Sequence, residues 1–316
     1  MLKVEDGTAP GGQGKPTGRR RRRQRASTRW RRADAVDTFY GAAMTFSIVV
    51  RDADAATWGV AVASKFLAVG AFVPAAAPGA GALATQADVN LAYRPAGLDL
   101  LAQGTDAKAV VGALVETDER ASHRQLGVVD VNGGAAAWTG PDCIGWAGHR
   151  TDFGVSVQGN CLIGPEVVGE MLRSWREADP GSHVGDRLVA ALVAGDAAGG
   201  DARGRQSAAV FVVRERGGFM ETTDVVVDLR VDDHPAPTTE LSRLMGLQHL
   251  YLERPGPSEL LPLDEDLRTR CDELARAAGQ PDLDTWVGVN NYEMRVTQTG
   301  IDRAVLELLE DAARRR

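Results

Sequence analysis

Residues 44–52 read MTFSIVVRD, a methionine followed at once by a run of strand formers. Phe46, Ile48, Val49 and Val50 favour a pleated, half-buried surface. ADAAT (53–57) supplies a turn, and WGVAVASKF (58–66) supplies a second strand, so the two runs predict a hairpin. Side chains alternate along a strand, so Thr45 and Ser47 share one face. Upstream of Met44 the character changes. Residues 1–43 hold 11 basic against 4 acidic residues, including GRRRRRQRASTRWRR, with no helical or strand period. That composition reads as a disordered basic head. No apolar core follows its arginines, so a secretory signal is not expected. It is either a genuine basic arm or sequence upstream of a true start at Met44.

Outward from the hairpin the pattern stays regular. VGAFVPAAA (69–77) and AGALATQA (80–87) predict short strands. LAYRPAGLDLLAQG (91–104) and DAKAVVGALVETD (106–118) place apolar residues at helical spacing. RQLGVVDVNGGAAAWTG (124–140) predicts a hairpin about Asn132-Gly133-Gly134, and GVSVQGN (154–160) a further strand. GPEVVGEMLRSWREAD (164–179) predicts a helix opened by Pro165, and SHVGDRLVAALVAGDAAGG (182–200) one capped by Ser182. RQSAAVFVVRER (205–216) and DVVVDLRVDD (224–233) predict the closing strands. Helix pairs between strand blocks, joined by hairpin-length links, predict an α+β fold of antiparallel sheets, a four-layer αββα sandwich. No GxGxxG, GxxxxGK[ST] or GxSxG motif occurs.

Of the chain's 36 basic and 43 acidic residues, 25 and 39 lie beyond residue 43. An acidic body argues against nucleic acid as a partner. No apolar run is long enough to span a membrane. The three cysteines form no CxxC pair and read as buried thiols, so no metal or other cofactor is expected. The expected location is cytoplasmic.

The words MTFSIVVRD, GVAVASKFLAVGAFVP, ATQADVN, WAGHRT, SVQGN, GGDARGRQSAA and VDLRVDDHP, in this order from Thr45 to about residue 236, resemble the domain-of-unknown-function 1028 family. That family is placed in the N-terminal-nucleophile (Ntn) hydrolase superfamily, whose members share the αββα sandwich. Further on, LDEDLRTRCDELARAAG, LDTWVGVNNYEMRV and GIDRAVLELLED resemble a peptidoglycan-binding domain, with VNNYEMR carrying most of the likeness. The division implied is a head (1–43), an Ntn-like domain (44–240), a proline-marked linker (241–257) and a small helical module (258–316).

The resemblance implies an amidohydrolase acting on a small amide or peptide-like ligand. Thr45 would supply both hydroxyl nucleophile and, once N-terminal, amine base. A free α-amine has a pKa near 7.7–8.0, so it can accept a proton at neutral pH, which a peptide nitrogen cannot. The alternative for Thr45 is simply the first residue of a strand. Lys65, one of four lysines in the chain, and Asn160 are the supporting catalytic candidates, with oxyanion donors expected around Gln158-Gly159-Asn160. Ligand-contact candidates are Ser47, Ser64, Gln86, Asn90, Tyr93, Arg94, His149, Gln158, Asp201, Arg203, Arg205, Gln206, Asp233 and His234. Arg203 or Arg205 could fork onto a carboxylate. Asp232, Asp233 and His234 are too close in sequence to face one metal without a turn. Peptidoglycan and further copies of the chain complete the expected partners. A ligand-binding protein without catalysis is the other reading.

Overall fold

The computed structural model describes residues 45–52 and 56–315; the basic head and Met44 lie outside them. The elements in chain order are β1 (Thr45–Asp52), β2 (Thr57–Ser64), β3 (Pro74–Ala77), β4 (Gly81–Ala87), α1 (Tyr93–Ala102), α2 (Ala107–Glu116), β5 (Arg124–Asp130), β6 (Ala135–Thr139), β7 (Trp146–Asp152) and β8 (Val155–Leu162). There follow α3 (Glu166–Glu177), α4 (Val184–Ala197), β9 (Ser207–Val213), β10 (Val225–Val231), α5 (Pro237–Leu252), β11 (Leu260–Pro262), α6 (Glu265–Ala277), α7 (Leu283–Asn290), β12 (Gly300–Asp302) and α8 (Arg303–Arg314).

Two antiparallel sheets form the body, one ordered β10-β9-β2-β1-β8-β7 and one ordered β3-β4-β5-β6. Alternation along the strands divides the residues among three cores. Phe46, Ile48 and Val50 of β1 turn away from the other sheet and pack with Met171, Leu188, Leu192 and Leu241 of α3, α4 and α5. Leu83, Leu126 and Val128 turn the other way, onto Leu101, Val110 and Leu114 of α1 and α2. Between the sheets lie Val49, Trp58, Val60, Val62, Ala82, Ala84 and Val129. The layers therefore run helices, sheet, sheet, helices.

In the two-sheet body the strand that sequence does not announce is β7, and in the C-terminal module it does not announce β11 and β12. WAGHRTD has no apolar alternation, and as the edge strand beside β8 it is only partly covered. The cap of α4 is also not Ser182. His183 precedes the helix, and its Nδ1 accepts from Gly185 N at 3.1 Å.

The stretch read as a linker, 241–257, is for the most part helix α5. Pro237 opens it, where a missing N–H costs nothing. Leu241 and Met245 sit in the main core, while Leu250 and Tyr251 pack against a second core of Cys271, Leu283, Trp286, Ile301 and Leu309. That second core belongs to the C-terminal module, which adds the two-stranded ribbon β11-β12 to its helices. Arg295, from the NYEMR segment, donates to the carbonyls of His249 and Glu253, both at 3.4 Å, and pairs with Asp302.

α5 is also held to α4 by an ionic cluster. His249 Nε2 meets Asp186 at 2.9 Å and its Nδ1 meets Glu253 at 2.7 Å. Hydrogen bonds to Asp186 and then Glu253 push the His249 pKa up to about 10 from 6.5. The His183 ring lies edge-on to it, with burial holding its own pKa down. A folded pKa raised above the unfolded one gives stability that is complete below pH 6.5 and lost as pH rises through about 10. We therefore expect His249→Gln to destabilise the protein at pH 6, with the gap from wild type closing toward pH 10. Urea midpoints of both proteins across that range check it.

Candidate functional site

The space between the sheets is apolar at the Val49 end and polar at the Thr45 end. β1 pairs on one side with β2, placing Thr45 opposite Ser64, and on the other with β8, placing Thr45 opposite Asn160 and Ser47 opposite Gln158. The facing sheet contributes Gln86 from β4 and Gln125 from β5, themselves neighbours in register. Thr45, Ser47, Ser64, Gln86, Gln125, Ser156, Gln158 and Asn160 are all buried. Leaving such groups unpaired would cost about 1–3 kcal/mol each, so they bond to one another.

Backbone carbonyls fix which way each amide points, because a carbonyl can only accept. Gln125 Nε2 donates to Gly159 O at 2.8 Å and Gly148 O at 3.2 Å, so its Oε1 faces inward. That Oε1 accepts from Gln86 Nε2 at 2.7 Å and from Asn160 Nδ2 at 3.0 Å. Gln86 Nε2 also donates to Thr45 O at 3.3 Å, leaving its Oε1 to accept from Ser47 Oγ at 2.7 Å. Gln158 Nε2 donates to Ser47 Oγ at 2.7 Å, and its Oε1 accepts from Ser156 Oγ at 2.7 Å. Thr45 Oγ1 donates to Ser64 Oγ at 3.2 Å. One atom is left over: Asn160 Oδ1 is buried and has no hydrogen-bond partner. One N–H of the Asn160 amide goes to Gln125, and its Oδ1 offers an acceptor to its surroundings.

Two residues beside this network are in the left-handed region that L-residues avoid. Ala87 follows Gln86 with φ 66° and Cys161 follows Asn160 with φ 53°. Such conformations cost on the order of 1–3 kcal/mol and concentrate at functional sites.

Of the other sequence candidates, His149 joins the network's rim. Its Nδ1 lies 2.8 Å from Thr139 Oγ1, which itself accepts from Gln125 Nε2 at 2.9 Å. Desolvation lowers the His149 pKa. Lys65 is exposed, with Nζ 3.3 Å from Arg205 O, while its backbone N–H donates to Asp201 at 2.7 Å. Asp201 also receives Arg203 N at 2.9 Å and the Arg203 guanidinium at 3.2 Å. Arg205 pairs with Asp196 at 2.7 Å. These groups anchor the GGDARGRQS loop to the end of β2. Gln206 contributes backbone bonds, to Ser64 O and from His234 N. His234 Nδ1 accepts from Ala236 N at 3.1 Å, and Asp233 is exposed. Asn90 donates to Asp118 at 2.9 Å, Arg94 to Ala71 O at 2.7 Å, and buried Tyr93 has its pKa raised by desolvation and Asp118. Asn90 and Tyr93 thus serve a separate cluster around Asp118, and Arg94 is held to Ala71.

Among the described residues one group, His183, Asp186 and His249, brings three metal-ligand atoms within 4.8 Å of one another. A proton explains it better than a metal: His249 has a carboxylate on each nitrogen, and His183 spends Nδ1 on capping α4. A metal-bound histidine would instead donate from its second nitrogen. A groove of about 730 Å³ beside it, lined by His183, Arg214, Phe219, Met220, Leu252 and Met294 among others, shares no residue with the Thr45 network. No helix among the described residues is long and apolar enough to cross a membrane.

The family model described as "Family of unknown function (DUF1028)" matches residues 45–241, and the chain belongs to that family. It is similar to the crystal structure of protein SPO2555 from Silicibacter pomeroyi, itself assigned to the DUF1028 family model. The two share 30% identity over 65% of this chain and 89% of that one, with a TM-score of 0.59. Anbu (ancestral beta-subunit) from Yersinia bercovieri aligns over 67% of this chain and 98% of its own at 14% identity and a TM-score of 0.31, too slight a likeness to build on. No curated protein matches the chain.

Gly127 is the network's tightest point. A Cβ there would lie 2.0 Å from Gln158 Oε1, so Gly127→Ala must displace Gln158 and break its bonds to Ser47 and Ser156. We expect it to cost about 2–4 kcal/mol of stability. Ser156→Ala, which removes one donor, should cost about 1 kcal/mol. Denaturant titration of both variants measures the difference.

Proposed function

We propose that the chain is an Ntn-type amidohydrolase of small amide or peptide-like substrates, with Thr45 as its nucleophile. The observation that carries this reading is the position of Thr45. It opens one of the two middle strands of the larger sheet, buried at the polar end of the inter-sheet space, with its hydroxyl bonded to Ser64 and its carbonyl held by Gln86. The family match also begins at this residue. The amine of Thr45, once free, takes the proton from Oγ1 as it attacks the substrate carbonyl. The C–N bond breaks as that proton passes to the leaving nitrogen, and water then hydrolyses the Thr45 ester. General-base help of this kind is worth roughly 10²–10⁴ in rate. Lys65, exposed and turned to Arg205, is an outer electrostatic support at most.

One observation favours the second reading, a ligand-binding protein without catalysis: the groove beside α5 is separate from Thr45. The C-terminal module we read as a packing element of α5, because NYEMR spends Arg295 on the carbonyls that end that helix. Retention of the protein on peptidoglycan sacculi would overturn that.

The deciding measurement is the intact mass of protein from its native host. The hydrolase reading requires a chain that begins at Thr45, and a chain in which residues 1–44 stay joined ends it. In the trimmed protein, Thr45→Ala should lower turnover across an amide panel at least about 100-fold. No turnover in either form moves the assignment to ligand binding, and equal turnover in both removes Thr45 as the nucleophile.

A further inference from the structure

Asn160 Oδ1 is the one side-chain atom of the Thr45 network that is buried without a hydrogen-bond partner. The side chain cannot rotate its amide to escape this. Turning it would set Nδ2 where Oδ1 now is and bring two oxygens, its own and Gln125 Oε1, together at about the present 3.0 Å. Gln125 cannot turn in its place, because its NH₂ is committed to the carbonyls of Gly148 and Gly159. The acceptor is thus fixed by two backbone carbonyls, one residue away along the network.

The nearest strand partner of Asn160 on β1 is Thr45. A peptide nitrogen at Thr45 carries one hydrogen. A free amine there carries two, and an ammonium three. Release of the amine is the change that creates new donors beside a buried acceptor lacking one.

We propose that Asn160 is a positioning residue whose Oδ1 accepts an N–H of the freed Thr45 amine. One N–H held by Asn160 leaves the amine's lone pair to be aimed at Oγ1 of the same residue. The acceptor also favours the ammonium over the amine and so raises its pKa. Cys161, next in the chain and in the left-handed region, fixes the end of β8 on which Asn160 sits. This inference rests on the reading that Thr45 becomes N-terminal.

The test needs no substrate. The full chain, carrying an inserted protease site before Thr45, is folded, cut, and labelled with ¹⁵N-threonine. The amine nitrogen resonates far from the amides and its shift is followed against pH. Asn160→Leu should lower the amine pKa by about one unit, a tenfold change in the neutral fraction at a fixed pH below both values. Gln125→Leu, which releases the Asn160 amide to turn, should lower it in the same direction. If Asn160→Leu does not fold, the Gln125 variant decides alone. A pKa unchanged in the folded variants overturns the inference. That outcome is distinct from failure of the hydrolase reading, which is judged by the N-terminus found in the native host and not by this titration.

Discussion

The interior of this protein depends on a decision made by a few backbone carbonyls. Gly148 O and Gly159 O take the NH₂ of Gln125, and Thr45 O and Gln158 O take that of Gln86. Once those two amides are oriented, the roles of Ser47, Ser156, Gln158 and the Asn160 amide follow. Ser47 must donate to Gln86 and accept from Gln158; Ser156 must donate to Gln158. Each member of such a buried network left without a partner costs stability, as Asn160 Oδ1 does here. The network joins the two sheets by directional bonds where the Val49 end joins them by apolar contact alone. Gly127 is part of the same constraint, since no side chain larger than hydrogen leaves room for Gln158.

Much of the fold was legible before the structure. The period-two pattern of TFSIVVRD and the apolar spacing of the helices gave the antiparallel sheets and both helix pairs. Parity alone put Thr45 and Ser47 on one face. The misses have physical causes. β7 sits at an edge and needs no apolar face. Prolines 255, 257 and 262 mark a break, but they lie after α5, whose own sequence PTTELSRLMGLQHLYL has helical spacing. Ser182 and His183 both can cap a helix, and local sequence does not rank them.

The site was legible only in part, and Gln125 shows why. In RQLGVVD a lone glutamine looks like the polar start of a strand. Its burial follows from β5 lying between β4 and β6 with β8 facing it, which is a property of topology. The signal that could have found it is parity: Gln125, Gly127 and Val129 share a face with a glycine at its centre, and a glycine within a strand often marks a close approach. The charged candidates differ from it. Asp201, Arg203 and Arg205 are conspicuous in sequence, and they bond to each other, to Lys65 N and to Asp196. Conspicuous charge here builds the loop, and uncharged amides build the interior.

That contrast bears on how a nucleophile could work in this setting. Among the described residues, Thr45 bonds to the neutral groups of Ser64 and Gln86. A nearby carboxylate would stabilise the ammonium strongly and hold the amine protonated, removing the base. A single amide oxygen does the same in weaker measure. In the proposed role, Asn160 would suit an amine that has to be held in place while still losing its proton near neutral pH. The requirement is orientation with little charge bias, and a carbonyl-fixed amide supplies that where an acid would not.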